Sequence, residues 1–220
     1  MCRRYRITKS AEEIEQRFDA AVDREYYRPN PNASTGQDLP VILNVNPRMV
    51  TLFKWGLIPS WAKDPAIGSR LVNARAETLA EKPSFKGSLK YWRCLVPADG
   101  FYEWKHIGSK KQPYLITLKD ESLFSFAGLW AEWSAPDGSP IPTFTIVTTE
   151  PNELMKDIHD RMPVILAKED ERKWLSKECT IPQALQLLKQ YPAELMQAKA
   201  VASVGVPDAQ QYNLTLRPRD

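Results

Sequence analysis

Short runs of β-branched and aromatic residues recur along most of this 220-residue chain, and they constrain its fold more than any other feature. Several runs are bounded by Gly, Pro or Asp, the residues that end strands and form turns. Their spacing is typical of antiparallel strands in a curved sheet or a barrel. The predicted strands are 41–43, 50–54, 93–97, 101–105, 114–118, 123–130 and 143–149.

Helical patterns flank these strands. Ser10 opens a capping box, and Ile14, Phe18 and Val22 follow at four-residue spacing, which predicts an amphipathic helix ending near Arg24. Turn-forming residues predict a long surface loop at 25–40, and good helix formers predict further helices at 151–158, 168–176 and 182–190.

These elements predict an α+β fold with a curved antiparallel sheet or barrel-like core flanked by helices. The length and a hydrophobic content of 43% suit one domain over residues 1–220. The chain has no apolar run of about 18 residues, and its start lacks the apolar core of a secretory signal. We therefore expect a cytoplasmic protein without a membrane span.

The cysteines and histidines limit which disulfides and metal sites the chain can form. Cys2, Cys94 and Cys179 are widely spaced, odd in number and without a C-x-x-C pair, and only His106 and His159 accompany them. This pattern argues against a disulfide framework and against zinc. We expect neither a metal nor another cofactor.

Positive charge and aromatic rings coincide in one stretch. Residues 60–93 hold seven basic and three acidic side chains, a surplus of +4, within a chain whose net charge is only +3. The aromatic residues in or beside this stretch are Trp55, Trp61, Phe85, Tyr91, Trp92 and Trp104. Such a mixture suits single-stranded nucleic acid, because cations follow phosphates while rings stack on bases. Large rings are also common in cores, so we expect only two or three of them to face a ligand.

Cys2 directly follows the initiator methionine, so removal of Met1 would create a reactive centre with two groups. An aldehyde captured by the freed α-amine as an imine can be closed by the adjacent thiol into a five-membered thiazolidine ring. Both groups titrate near neutrality, at about 8 for the amine and about 8.5 for the thiol. Any residue can stand second in a chain, so this position needs support from other residues.

Glu103 is a candidate general acid. It lies between Tyr102 and Trp104 on a predicted strand and should point opposite to both. If that face is the interior, desolvation raises the pKa of the carboxyl group, which suits proton transfer to a sugar oxygen or an imine. If it is the exterior, Glu103 is an ordinary solvated carboxylate, and the pattern alone favours neither.

His159 and Asn73 also allow both a functional and a purely structural interpretation. His159 follows a predicted helix end, where an imidazole can titrate near neutrality or can simply stabilise the helix dipole. Asn73 can hold a thiol or a backbone group in place, or can cap a turn. Neither residue is decisive alone.

Five ordered blocks together are more specific than any one of them. They are Met-Cys at the start, Trp-Gly-Leu-Ile-Pro-Ser-Trp at 55–61, Asn-Ala-Arg-Ala-Glu-Thr at 73–78, Arg-Cys-Leu-Val-Pro-Ala-Asp-Gly-Phe-Tyr-Glu-Trp at 93–104 and Ile-His-Asp-Arg-Met-Pro at 158–163. In this order they resemble the SOS-response-associated peptidase family, whose members shield abasic sites in DNA. The resemblance spans residues 1 to about 175, and the tail at 176–220 is expected to complete the fold.

The resemblance implies a monomeric protein that cross-links itself to abasic sites in single-stranded DNA. Cys2, exposed by loss of Met1, would form the thiazolidine with the ring-opened sugar, and Asn73 would orient the Cys2 end. Glu103 would handle protons during ring opening and imine formation, and His159 would assist ring closure and its reversal. The family name also implies an autopeptidase activity that removes Met1.

The same resemblance assigns DNA contacts. It implies phosphate contacts for Arg4, Arg75 and Arg161, and stacking or wedging at the lesion for Trp55, Trp61, Phe85 and Trp104. The chain departs from the family at Arg3, where the usual residue is Gly. Arg3 would either add a phosphate contact or crowd the entrance to the site.

Two alternatives come from other classes of protein. Cys2 with His159 would also suit a thiol peptidase or amidohydrolase with an N-terminal nucleophile and a small peptide-like substrate. The aromatic and basic stretch would suit a noncatalytic binder of single strands, with affinity that falls steeply with salt.

Overall fold

Two sheets, one of them closed into a barrel, form the core of the protein. The computed structural model describes residues 2–205. The strands are β1 (Arg4–Ile7), β2 (Ala21–Val22), β3 (Asn30–Ser34), β4 (Asp38–Leu43), β5 (Asn46–Trp55), β6 (Asn73–Arg75), β7 (Arg93–Ala98), β8 (Gly100–Ile107), β9 (Lys110–Leu118), β10 (Phe124–Ser134), β11 (Pro140–Thr149), β12 (Met162–Pro163), β13 (Ile165–Leu166) and β14 (Met196–Ala200). The helices are α1 (Ala11–Phe18), α2 (Pro83–Tyr91), α3 (Lys168–Leu175) and α4 (Ile181–Leu187), with 3-10 turns at Pro65–Arg70 and Ala193–Leu195.

The barrel consists of β5, β4, β7, β10 and β11, in that order. Neighbouring strands are antiparallel, and the ring closes where β11 pairs in parallel with β5, with Phe144 opposite Trp55. The Trp55 and Phe144 rings stack with centroids 6.1 Å apart. Closure places large aromatic rings in a shared core, where burial of apolar surface stabilises the fold.

A second sheet packs against this barrel in the order β14-β9-β8-β1-β3, with every pair antiparallel. Tyr5 on β1 contacts Trp55 and Phe126, with ring centroids 5.4 and 5.8 Å away, and so joins the two sheets. β1 therefore starts beside the barrel, and it brings Cys2, two residues before the strand, to the junction of the sheets.

A buried corner links the two sheets between β7 and β8. Asp99 is buried and accepts hydrogen bonds from the backbone N–H and the hydroxyl of Thr8, at 2.6 and 2.7 Å, and it pairs with Arg6 at 2.8 Å. A Cβ at Gly100 would lie 3.0 Å from both Arg6 Nε and Leu115 Cδ1, so this corner is closely packed around the glycine. This corner fixes β1 against β8.

The α+β class and the seven predicted strands are confirmed, the strands as β4, β5 and β7 to β11. The first helix ends earlier than predicted, because Asp19 adopts a left-handed conformation with φ 53° and the chain then pairs with β5 as β2. The predicted loop at 25–40 was wrong in part. It contains β3 and the start of β4, and β3 is an edge strand, which tolerates its Pro31.

The helix predicted at 151–158 was also wrong. This segment forms consecutive turns, in which the Asn152 side chain accepts a hydrogen bond from Met155 N at 3.0 Å and donates to Tyr191 O at 2.7 Å. These two bonds tie the start of the turns to the core. Helices were correctly predicted near α3 and α4. Among residues 2–205, no helix is long and apolar enough to cross a membrane.

Candidate functional site

A cleft of about 670 Å³ opens beside the start of β1. Its walls come from β6, from the β8–β9 hairpin and from the loop that follows β11. It is lined by Arg3, Arg75, Glu103, Trp104, His106, Lys111, His159, Asp160 and Arg161. The cleft is rich in cationic groups, and it also contains carboxyl and imidazole side chains, which can act as general acids and bases.

Cys2 is buried where the two sheets meet, and the side chain of Asn73 holds its backbone. The Asn73 Nδ2 donates a 2.8 Å hydrogen bond to the Cys2 carbonyl oxygen. β6 carries Asn73 to this place by pairing in parallel with β11, with Asn73 opposite Ile146. The Asn73 Oδ1 is buried without a hydrogen-bond partner among the described residues. Asn73 therefore holds the backbone of Cys2, and its role as an orienting residue stays a prediction.

The Cys2 thiol is neutral in this environment. Burial raises the pKa of the thiol well above its ordinary value, and the negative charge of nearby Glu103 adds to the shift. The Sγ makes a weak contact of 3.6 Å with Arg4 O. A reaction of this sulfur therefore needs a neighbouring base that removes its proton.

Glu103 lies inside the protein, which resolves the ambiguity of its strand. Its exposed fraction is 2%, and Tyr102 on the opposite face of β8 is equally covered, by Leu115 and Val201. Alternation alone did not decide the matter because both faces of this strand are buried. Burial raises the pKa of the Glu103 carboxyl group from 4.5 to about 7. A carboxyl group with this pKa both donates and accepts protons at neutral pH.

His159 lies next to Glu103, with Nε2 3.9 Å from Glu103 Oε2. The backbone N–H of Arg161 donates to His159 Nδ1 at 3.1 Å, and the exposed Asp160 carboxylate lies 2.8 Å from the same nitrogen. Burial lowers the pKa of the imidazole, and the negative charge of Asp160 acts in the opposite direction. At pH 7 the imidazole is therefore mostly neutral, while Glu103 is close to half-protonated.

The predicted DNA contacts divide into groups. Arg75 is exposed and lines the cleft, and Trp104 lines it while half-buried. Arg161 also lines the cleft, but Glu77 accepts two hydrogen bonds from its guanidinium at 3.0 and 2.8 Å. Arg4 donates to Asn32 Oδ1 at 2.6 Å. Of the seven predicted DNA contacts, all within the described residues, only Arg75 and Trp104 therefore present an uncommitted face to a ligand in the cleft.

Two of the aromatic residues predicted to stack at a lesion lie in the core. Trp55 is 1% exposed and donates from its indole N–H to Val72 O at 2.8 Å, and Phe85 on α2 is buried as well. Neither ring has a face open to a base, so the prediction was wrong for both. Trp61 is 58% exposed, but it lines a different groove from the cleft.

Sequence reasoning missed three cleft residues, Asp160, His106 and Lys111. The last two are cross-strand partners in the β8–β9 hairpin, and His106 is two residues from Trp104 on β8. Period-two alternation from Trp104, with hairpin pairing, was the signal that could have found them. Arg3 also lines the cleft, so the residue that replaces the usual glycine lies at the site. Within residues 2–205, no three His, Cys, Asp or Glu side chains cluster as metal ligands.

Known proteins similar to this chain agree with one another. The family model described as SOS response associated peptidase (SRAP) matches residues 1–205. Abasic site processing protein YoqW of Bacillus subtilis (strain 168) is 48% identical over 210 residues, which cover 93% of each chain. Abasic site processing protein HMCES of Xenopus tropicalis is 35% identical over 215 residues, covering 83% of this chain and 64% of that protein. The crystal structure of a protein from Bacteroides thetaiotaomicron has a TM-score of 0.86 at 33% identity, covering 91% of this chain and 92% of the other. This chain belongs to the SOS response associated peptidase family.

Proposed function

We propose that this protein processes abasic sites in single-stranded DNA by joining its own Cys2 to the ring-opened sugar. The observation that carries the proposal is the convergence of three groups on Cys2. Asn73 holds its carbonyl group, Glu103 lies close enough to shift its pKa, and His159 lies 3.9 Å from Glu103. The names of the relatives, abasic site processing proteins, supply the substrate.

The reaction uses the two groups of Cys2 in sequence, after loss of Met1 has freed the α-amine. The amine nitrogen attacks the sugar aldehyde and forms a carbinolamine. Protonated Glu103 gives its proton to the departing hydroxyl, so water leaves and an iminium ion forms beside a Glu103 carboxylate. The carboxylate then takes the thiol proton, directly or through His159, as sulfur bonds to the iminium carbon. The product is a neutral thiazolidine, Glu103 is protonated again, and one water has been lost.

The protonation states of Glu103 and of the Cys2 thiol suit both the imine step and the ring-closing step. A pKa of about 7 lets Glu103 act first as an acid and then as a base at neutral pH. The buried thiol stays neutral until the iminium ion forms, because burial raises its pKa. Sulfur is therefore protected from other electrophiles and becomes reactive only with the substrate in place.

The cationic cleft supplies the affinity for DNA. Arg3, Arg75 and Lys111 surround the acid–base pair and would neutralise phosphates on either side of the lesion, while Trp104 offers a ring for an adjacent base. Arg3 then contributes a phosphate contact that the usual glycine lacks.

A general thiol peptidase is less well supported. Such an enzyme needs a thiolate, which requires a lowered thiol pKa, whereas burial and Glu103 raise the pKa of Cys2. The peptidase named in the family model is better assigned to a single event, removal of Met1 by the protein itself. Glu103 is the base that would activate water for that cleavage.

A comparison of two variants tests the proposal. Processed protein is mixed with an oligonucleotide that contains one abasic site, and adducts are separated by denaturing gel electrophoresis. Wild type should give a stable adduct. Cys2→Ser keeps the amine but cannot close a thiazolidine, so its adduct should appear only after borohydride reduction of the imine. Equal adduct from both proteins without reduction would refute the thiazolidine.

A further inference from the structure

Three exposed aromatic side chains outside the cleft line two neighbouring grooves. Trp61, Tyr91 and Trp92 have exposed fractions of 58%, 54% and 40%, and together we call them the aromatic surface. A groove of about 400 Å³ lies between Trp61 and Trp92, with Trp130 at its floor. A second groove of about 250 Å³ lies between Tyr91 and Trp92. Exposed aromatic surface of this extent marks an interaction site more often than chance exposure.

The Trp92 ring and the backbone of Tyr91 are held in place by the barrel beneath them. Trp92 packs on Trp130 with centroids 4.6 Å apart. Asn44 donates to Tyr91 O at 2.9 Å and accepts from the Trp130 indole N–H at 3.1 Å. Trp130 also donates its backbone N–H to Trp92 O at 2.9 Å. A fixed ring loses little conformational freedom when a flat partner stacks on it.

The charge around the aromatic surface indicates the partner. Lys90 lies over the Tyr91 ring, 4.8 Å from its centroid, and it lines the second groove together with Lys177. Lys86 lies four residues before Lys90 on α2 and is exposed. Glu132 is the one acidic residue that lines either groove. Rings interleaved with ammonium groups match a strand of unpaired bases joined by phosphates.

The aromatic surface lies within reach of a strand held in the cleft. Arg75 pairs with Thr148 on β11, and β11 pairs with β10, which carries Trp130. Arg75 and Trp130 are two strand spacings apart across the sheet and four residues apart along the strands. The distance between them is therefore roughly 16 Å. That separation is about five nucleotides at the spacing of B-form DNA, and fewer in an extended strand. No residue lines both the cleft and either groove, so the aromatic surface is a separate contact area.

We propose that Trp61, Tyr91 and Trp92 form a second platform, on which bases of single-stranded DNA flanking the lesion stack. This inference rests on the proposed function for the identity of the ligand as DNA. It adds that the protein binds a longer stretch of single strand than the cleft alone holds, and that the added affinity does not depend on the lesion.

The test measures binding of undamaged oligothymidylates by fluorescence anisotropy, so that no covalent step contributes. Wild type should bind a 12-nucleotide strand more tightly than a 4-nucleotide strand. Tyr91→Ala and Trp92→Ala should each raise the Kd for the longer strand about tenfold and leave the Kd for the shorter strand unchanged. Tyr26→Ala is the matched control, since Tyr26 is an exposed ring that lines neither groove.

Tyr91→Ala keeps the test decisive if Trp92→Ala disturbs folding through its contact with Trp130. Unchanged affinity for the longer strand in Tyr91→Ala and in every folded Trp92 variant would overturn the proposal, as would an equal loss in Tyr26→Ala. Cross-linking to an abasic site is measured separately on a short strand. Its failure with length-dependent binding intact would refute the proposed function and leave the platform standing.

Discussion

The imidazole of His159 faces the buried carboxyl group of Glu103 at 3.9 Å, and burial moves their pKa values in opposite directions. The carboxyl group is raised to about 7 and the imidazole is lowered, so near neutrality the exchangeable proton of the pair resides largely on the acid rather than on the ring. On this reversal of the usual order we propose Glu103 as the proton donor of the site, and three of the following predictions depend on it.

The rate of cross-linking should depend on pH as a bell-shaped curve. Its rising limb reflects deprotonation of the Cys2 amine, whose ordinary pKa is about 8. Its falling limb reflects loss of the Glu103 proton, whose pKa is about 7, so the maximum lies between the two pKa values. Single-turnover rates measured from pH 5 to 9 check this shape. A rate that rises steadily to pH 9 would exclude Glu103 as the donor.

Glu103→Gln should slow cross-linking at least about 100-fold at pH 7, the usual contribution of a general acid or base. The amide keeps the shape of the side chain but cannot transfer a proton, so the falling limb should disappear from the residual activity.

Glu103→Gln should also retain Met1 if the site performs its own cleavage. The intact mass of protein made in cells without a methionine aminopeptidase checks this. Wild-type rates in this variant would contradict both assignments.

Glu103→Gln should also stabilise the fold at neutral and alkaline pH. The folded pKa lies above the unfolded value of 4.5, so wild-type stability falls as pH rises through about 7. The shift corresponds to on the order of 3 kcal/mol in the free energy of unfolding, a cost that the glutamine variant does not have. Urea unfolding at pH 5 and pH 8 should show a gain that grows with pH. A gain that is the same at both values would argue against a buried, titrating carboxyl group.

Asn73→Ala should slow cross-linking about 10- to 100-fold and lower the free energy of unfolding by only about 1 kcal/mol, the usual worth of one hydrogen bond. The lost bond is the one to the Cys2 carbonyl oxygen. Asn44→Ala is the matched control, because Asn44 is also a buried amide bonded to backbone but lies at the aromatic surface. Equal loss of rate in both variants would show that Asn73 acts only through stability.

Arg75→Ala should weaken binding to all single strands alike and reduce the slope of log affinity against log salt by about 1. Arg75 is exposed in the cleft. Lys119, exposed outside the cleft, supplies the control, and Lys119→Ala should leave the slope unchanged. An unchanged slope in Arg75→Ala would remove it from the phosphate contacts.

Trp55→Ala should mainly reduce the stability of the fold, whereas Trp104→Ala should mainly reduce DNA binding. Trp55 is in the core, so its truncation should lower the free energy of unfolding by about 3–5 kcal/mol. Trp104 lines the cleft, so its truncation should weaken DNA binding at nearly unchanged stability. Thermal unfolding and anisotropy on the same two proteins separate the outcomes. Weak DNA binding by a fully stable Trp55→Ala would contradict the burial of that ring.

The strands were predictable because β-branched runs and turn residues are local signals, and all seven predicted runs are strands. Closure of the barrel was not predictable, since it depends on the parallel pairing of Phe144 with Trp55, which are distant in the chain. The same non-local pairing buries Trp55, whereas Trp61, six residues later, is exposed. Trp55 ends β5 in the barrel, whereas Trp61 lies in a turn.

The candidate site was predictable to a different degree for each residue. Asn73 and His159 lie where the resemblance implied, near Cys2 and Glu103. The orientation of Glu103 was open because β8 is covered on both faces, by the barrel and by residues such as Val201 beyond β14. The bidentate pair of Arg161 with Glu77 joins residues 84 positions apart, and no local pattern announces it.

Intact mass of the protein after incubation with an abasic oligonucleotide tests the central claim most directly. The account predicts that Met1 is absent and that the product has the mass of protein plus oligonucleotide minus one water, with Cys2 as the modified residue. A protein that has lost Met1 yet gains no such mass, or that gains it equally as Cys2→Ala, would contradict the claim.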